Sequence, residues 1–169
     1  MGGRRFLLLF VVYVVAGGFL LSLPVMEEGV VDPWTRLNAD GTAAAARLIG
    51  IDAEAHGADV FYGRGSLRVV VGCNGVEALL ILTAALLAFP APWKHRTLGV
   101  ALGIVAILGV NLVRLVNLVV VAKLAPAWLP VFHVYVWQVL IVLAAVGLFL
   151  AWGTYVAHSG PITKAARGA

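Results

Sequence analysis

The sequence predicts an all-α integral membrane protein with about four transmembrane helices, and a small outer-face helix and hairpin between the first and second. Three observations carry this. Apolar residues make up 62% of the 169 positions and charged residues only 12%, far outside the composition of soluble domains. Apolar runs at residues 6–23, 74–89, 98–122 and 131–152 match a bilayer core of about 30 Å, at about 1.5 Å of helix per residue. Pairs of basic residues recur before the first run, between the second and third, and after the fourth. The chain therefore reads as a single membrane domain over 1–169. Its net charge of +4 serves topology, and no nucleic-acid partner is expected. The single cysteine excludes an internal disulfide, and no Cys/His cluster has zinc spacing. Neither a metal nor a cofactor is expected.

The first apolar run, from Phe6, follows the basic Met1–Arg5. A cleaved signal peptide is the rival reading, but the run is longer than a usual apolar region and ends in Ser22-Leu23-Pro24-Val25-Met26 without a small-x-small site. It reads as an uncleaved span. Arg4 and Arg5 precede span one, Lys94 and Arg96 lie between spans two and three, and Lys164 and Arg167 follow span four. The positive-inside rule puts these groups, and both termini, on the cytoplasmic side of an inner membrane. Residues 24–72 are then extracytoplasmic, facing the periplasm or exterior, and hold seven of the eight acidic residues.

Within that outer segment, apolar spacing predicts a helix from about Asp40 to Ile49 on the membrane surface, stopped by Gly50. Short runs at 51–54, 59–62 and 66–71, punctuated by His56-Gly57 and Gly63-Arg64-Gly65, predict small strands or a hairpin. These deliver the chain to Cys73. Span two, the shortest, runs inward to Phe89-Pro90-Ala91-Pro92-Trp93, and span three runs outward to Lys123. A tight outer loop with Pro126 and Pro130 opens span four, which Trp152 and Tyr155 close at the inner interface. The tail from His158 to Ala169 reads as basic and mobile.

This topology brings three groups toward one leaflet: Cys73 opening span two, His133 opening span four, and Arg114 in span three. Arg114 stands eight residues before Ala122, about 12 Å of helix that a long side chain partly recovers. A thiol next to the polar Asn74 and Gly75, at a helix N-terminus, is favoured as thiolate; the bland alternative is a small apolar residue. A charge within a span needs a partner or a polar cavity. Asn111 and Asn117, three residues to either side of Arg114, extend a polar arc. Glu77, four residues after Cys73, is its candidate ion-pair partner and a supporting site residue. Arg114 can instead offset a developing oxyanion, and His133 can act as base and then acid. His56, His95 and His158 read as solvated or interfacial.

Cys73-Asn74-Gly75 opening one span, Asn111-Leu112-Val113-Arg114 in the next and His133 opening the one after resemble the exosortase/archaeosortase family of membrane protein-sorting enzymes. The resemblance covers roughly Asp40 to Trp152, and the Cys-Asn-Gly-Val-Glu run looks like the short exosortase H type. Many bacterial members are longer, with more spans and a tie to exopolysaccharide production; this chain has the core alone. The resemblance implies a cysteine transpeptidase-like enzyme acting on exported proteins that carry a C-terminal motif, transmembrane helix and basic cluster. It implies Cys73 as nucleophile, His133 as acid/base and Arg114 as oxyanion or substrate-positioning group, with transfer to an acceptor nucleophile at the cell surface. A non-catalytic membrane assembly or anchoring subunit is the competing reading. In it Arg114, Asn111, Asn117 and Glu77 form buried interhelical contacts and Cys73 is incidental. A thiol oxidoreductase ranks lower without a resolving cysteine, as does a transporter without paired broken helices.

Overall fold

The computed structural model describes residues 3–158. Lys164, Arg167 and the tail beyond His158 lie outside the described residues. Five helices and a three-stranded sheet, joined by short helical turns, make up the fold: α1 (Gly3–Leu21), α2 (Asp32–Leu48), β1 (Ala53–His56), β2 (Asp59–Tyr62), β3 (Gly65–Arg68), α3 (Val76–Ala88), α4 (Trp93–Leu124) and α5 (Trp137–His158). Short helical turns lead without a break from Pro24 into α2, and from Pro126 into α5.

Three helical stretches are long and apolar enough to cross a membrane: Gly3–Leu21, Trp93–Leu124 and Pro126–His158. The expected second span is the exception. Its helix, α3, has 13 residues, about 20 Å of rise against a bilayer core of about 30 Å. It is short because Gly75 precedes it in a left-handed conformation (φ 77°) and Pro90 and Pro92 follow it. Arg96 fastens the inner end, donating from Nη1 to the Leu87 carbonyl at 3.0 Å and from Nε to the Ala91 carbonyl at 2.9 Å. That caps carbonyls the helix leaves open.

Despite its length, α3 is the hub, packing against α1, α4 and α5. Leu82 and Leu86 of α3 share a core with Ile107 of α4 and Ile141 and Ala145 of α5. Small residues set the approach distances. A Cβ on Gly103 would lie 2.9 Å from Leu82 of α3, and one on Gly99 would lie 2.6 Å from the Trp152 indole of α5. Helix α1 buries none of its residues and touches the bundle through Gly17 against Leu80 of α3 and Phe6 against Phe149 of α5.

The outer segment differs from expectation in its helix. Helical structure begins well before Asp40, and Gly41 does not interrupt it; Gly41 instead lets α2 close on Leu112 of α4. The buried stripe Thr35, Asn38, Ala39, Thr42, Ala43, Ala46 recurs at helical spacing and faces α4 and the sheet. Helix α2 thus packs along this stripe as a layer against α4 and the sheet. It ends as expected at Gly50 (φ 80°): the Ile51 N–H reaches the Ala46 carbonyl and the Gly50 N–H the Arg47 carbonyl, both at 3.0 Å. The sheet is antiparallel in the order β1-β2-β3, with Ala55, Val60 and Leu67 in register on the face toward α2. Cys73 joins the same core, together with Leu115 and Val119 of α4.

Candidate active site

Three elements meet at the turn between the sheet and α3. Cys73 lies in that turn, two residues before Gly75, and its N–H bonds to the Val70 carbonyl at 2.8 Å. His133 lies in a π-helical turn, Phe132–Val136, that opens α5; such turns are frequent at functional sites. Sγ of Cys73 stands 3.3 Å from Nε2 and 3.5 Å from Nδ1 of His133. Arg114 of α4 is buried, and its Nη2 donates to the Gly72 carbonyl at 3.2 Å, next to the thiol. Among the described residues, Nε of Arg114 and Oδ1 of Asn111 make no hydrogen bond.

The thiol is only 3% exposed, and this sets its chemistry. Burial pushes the Cys73 thiol above its ordinary value; the Arg114 charge and a backbone hydrogen bond from the Val70 region pull it back down, while Glu77 adds to the rise. The expectation of a thiolate favoured by a helix N-terminus therefore does not describe this site. Cys73 precedes the helix, which begins at Val76, by a turn with its own geometry, and burial is the largest influence on the thiol. Deprotonation by a neighbouring imidazole fits such a thiol.

The supporting residues separate into those bonded at the site and one that is not. Asn74 is buried: its Nδ2 donates to Thr35 Oγ1 at 2.9 Å, its Oδ1 accepts the Val76 N–H at 3.1 Å, and its carbonyl accepts the Trp34 indole N–H at 2.7 Å. Asn111 donates to Oδ1 of Asn38 at 2.8 Å and lies against Gly75. Asn117 accepts the indole N–H of Trp137 at 2.8 Å, linking α4 to α5. Glu77 does not pair with Arg114; the ion pairs among the described residues are Arg68–Asp59 and His56–Glu54. It is exposed and faces a cavity of about 330 Å³ shared with Ser22, Glu27 and Val71. The other histidines lie elsewhere. His56 is at the sheet beside Glu54, His95 packs against Tyr155, and Nδ1 of His158 contacts the Thr154 carbonyl.

The sequence profile described as transmembrane exosortase matches residues 1–152. The chain belongs to this family. No curated protein and no solved structure matches it. The family match and the spanning helices together make it a multi-pass membrane protein.

Trp34, Thr35 and Asn38 of the α2 layer are part of this exosortase's site architecture that sequence reasoning missed. A signal was present, because Thr35, Asn38 and Thr42 share the spacing of Ala39, Ala43 and Ala46. Small polar residues at helical intervals facing a membrane bundle mark a packed face as readily as apolar ones do.

Proposed function

We propose that this exosortase is a membrane-embedded cysteine transpeptidase or protease that processes C-terminal sorting signals of exported proteins at the outer leaflet. The observation that carries this reading is the 3.3 Å approach of His133 Nε2 to the only thiol of the chain, with the Arg114 guanidinium on the adjoining carbonyl. The substrate is an exported protein whose tail carries a short motif, a transmembrane helix and a basic cluster. The enzyme sits in the cytoplasmic membrane with both termini inside and the site toward the periplasm, a reading that the pairs Arg4-Arg5 and Lys94/Arg96 support through the positive-inside rule.

The chemistry balances with these groups alone. His133 takes the Cys73 proton, and the thiolate forms a C–S bond to the substrate carbonyl. The oxyanion is offset by Arg114, whose Nε is uncommitted. Collapse breaks the C–N bond, and the imidazolium gives its proton to the departing amine. An acceptor amine, or water, then attacks the thioester and loses its proton to His133. The thiolate leaves and is reprotonated.

The buried Asn38–Asn111 and Thr35–Asn74 bonds are also what a non-catalytic anchoring subunit would hold, so the thiol decides between the two. Co-expression with a tail-bearing substrate, comparing wild type and Cys73→Ala at equal membrane levels, is the test. Substrate cleavage that vanishes with the thiol is expected. Cleavage that persists in Cys73→Ala moves the anchoring reading to the front.

A further inference from the structure

Helix α2 grips the turn that carries the thiol through side chains the reaction scheme leaves unused. Trp34 and Thr35 both bond to Asn74, the residue after Cys73. The Thr35 hydroxyl donates to the Val31 carbonyl at 2.7 Å, which leaves its lone pairs for Asn74. Asn38 stands behind them, donating to the Trp34 carbonyl at 2.9 Å and accepting from Asn111 at 2.8 Å. Thr35, Asn38, Asn74 and Asn111 are all buried. Polar groups in that setting disfavour the folded state unless bonded, so apolar packing would have filled the same space at less cost.

The turn itself needs fastening. Gly72 and Gly75 bracket it with φ values of 90° and 77°, and the N–H groups of Cys73 and Asn74 share one acceptor, the Val70 carbonyl. Arg114 holds its upstream end at Gly72. Its downstream end, at Asn74, is held to the rest of the fold by Trp34 and Thr35. We infer that Trp34 and Thr35, braced by Asn38, are positioning residues that fix Asn74 and thereby hold the Cys73 sulfur against His133. The inference rests on the reading of Cys73 as the nucleophile. A shift of about 1 Å at a reacting atom can cost about a hundredfold in rate, so a clamp one residue away acts on catalysis directly.

The test uses the full chain in membranes with Thr35→Val, which keeps the shape, Thr35→Ser, which keeps the hydroxyl, and Trp34→Phe, which keeps the ring. Two quantities are read: kcat for a tail-bearing substrate, and the pH midpoint of alkylation of the single thiol by iodoacetamide. Thr35→Val and Trp34→Phe are expected to lower kcat about tenfold and to move the midpoint down toward that of an ordinary thiol, because a released turn admits water to Sγ. Thr35→Ser restores both. Unfolded protein would add a second, ordinary-thiol phase and leave the first midpoint in place. Wild-type kcat and midpoint in both Thr35→Val and Trp34→Phe overturn the inference, as does equal impairment in Thr35→Ser and Thr35→Val. Processing that survives Cys73→Ala is a separate failure: it sinks the nucleophile assignment, while the alkylation midpoint still reports whether α2 holds the turn.

Discussion

Trp137 donates its indole N–H to Oδ1 of Asn117 at 2.8 Å, so the helix that carries Arg114 is tied to the helix that carries His133. Asn117 lies three residues beyond Arg114, and Trp137 lies four beyond His133. The bond therefore fixes the rotation of each helix close to Arg114 and His133.

Trp137→Phe keeps the ring and removes this bond. Processing of a tail-bearing substrate is expected to fall about threefold to tenfold, the value of one lost hydrogen bond, with membrane levels unchanged. An initial-rate comparison at matched expression checks this, and a wild-type rate would show that His133 is placed by packing alone.

Arg114→Lys keeps the charge but loses the fork that reaches Gly72 while leaving Nε free. The rate is expected to fall about a hundredfold, as for loss of an oxyanion donor. The protein should still insert, because a lysine can retain the charge within the bundle. Cleavage measured beside protease-protection topology separates the two effects, and near-normal cleavage would reduce Arg114 to a fixed charge.

Burial holds the Cys73 thiol above its ordinary value and Arg114 opposes this. A group with a raised value stays protonated to higher pH, so alkylation should be slow at neutral pH and rise through an inflexion above the usual thiol range. Arg114→Gln removes the opposing charge and should move the inflexion further up. A stopped alkylation series with mass readout checks both signs; an inflexion that moves down on Arg114→Gln would contradict the placement of that charge.

Gly99 and Gly103 should differ in tolerance to alanine. At Gly103 the added carbon meets the end of the Leu82 side chain, which can rotate away. At Gly99 it meets the Trp152 ring, itself tied to the His95 carbonyl at 3.1 Å. Gly99→Ala is expected to cost about 1–3 kcal/mol and Gly103→Ala clearly less. Thermal unfolding in detergent ranks the pair, and equal losses would mean that Trp152 yields as easily as Leu82.

The approach of Cys73 to His133 was legible because bilayer thickness and helical rise constrain depth. Positions near the outer ends of two spans, with a long side chain on a third, have few ways to avoid each other. Glu77 was expected to pair with Arg114 from a local pattern that the structure does not keep. Its four-residue spacing from Cys73 implies a shared helix face only if both residues are helical, and Gly75 at φ 77° breaks the run between them. Trp34 and Thr35 were out of reach because about 40 residues and a whole sheet separate them from Asn74, and no local periodicity encodes such a contact. The early start of α2 was missed because its buried face upstream of Asp40 is made of the polar Thr35 and Asn38, which apolar spacing does not register.

The shortness of α3 acts as a depth gauge. Its 13 residues rise about 20 Å from the inner turn, whereas Trp93–Leu124 spans 32 residues, about 48 Å. Cys73 sits in the turn at the outer end of this short helix, and it shares a core with Leu115 and Val119, nine and five residues short of the end of α4 at Leu124. In the proposed reaction the scissile bond has to reach this level, beside the apolar outer half of α4. On that reading, the level of the thiol is set by the length of one helix. A two-residue insertion within α3 would lift Cys73 by about 3 Å and turn it by roughly 200°, taking the thiol away from His133, and is expected to abolish processing.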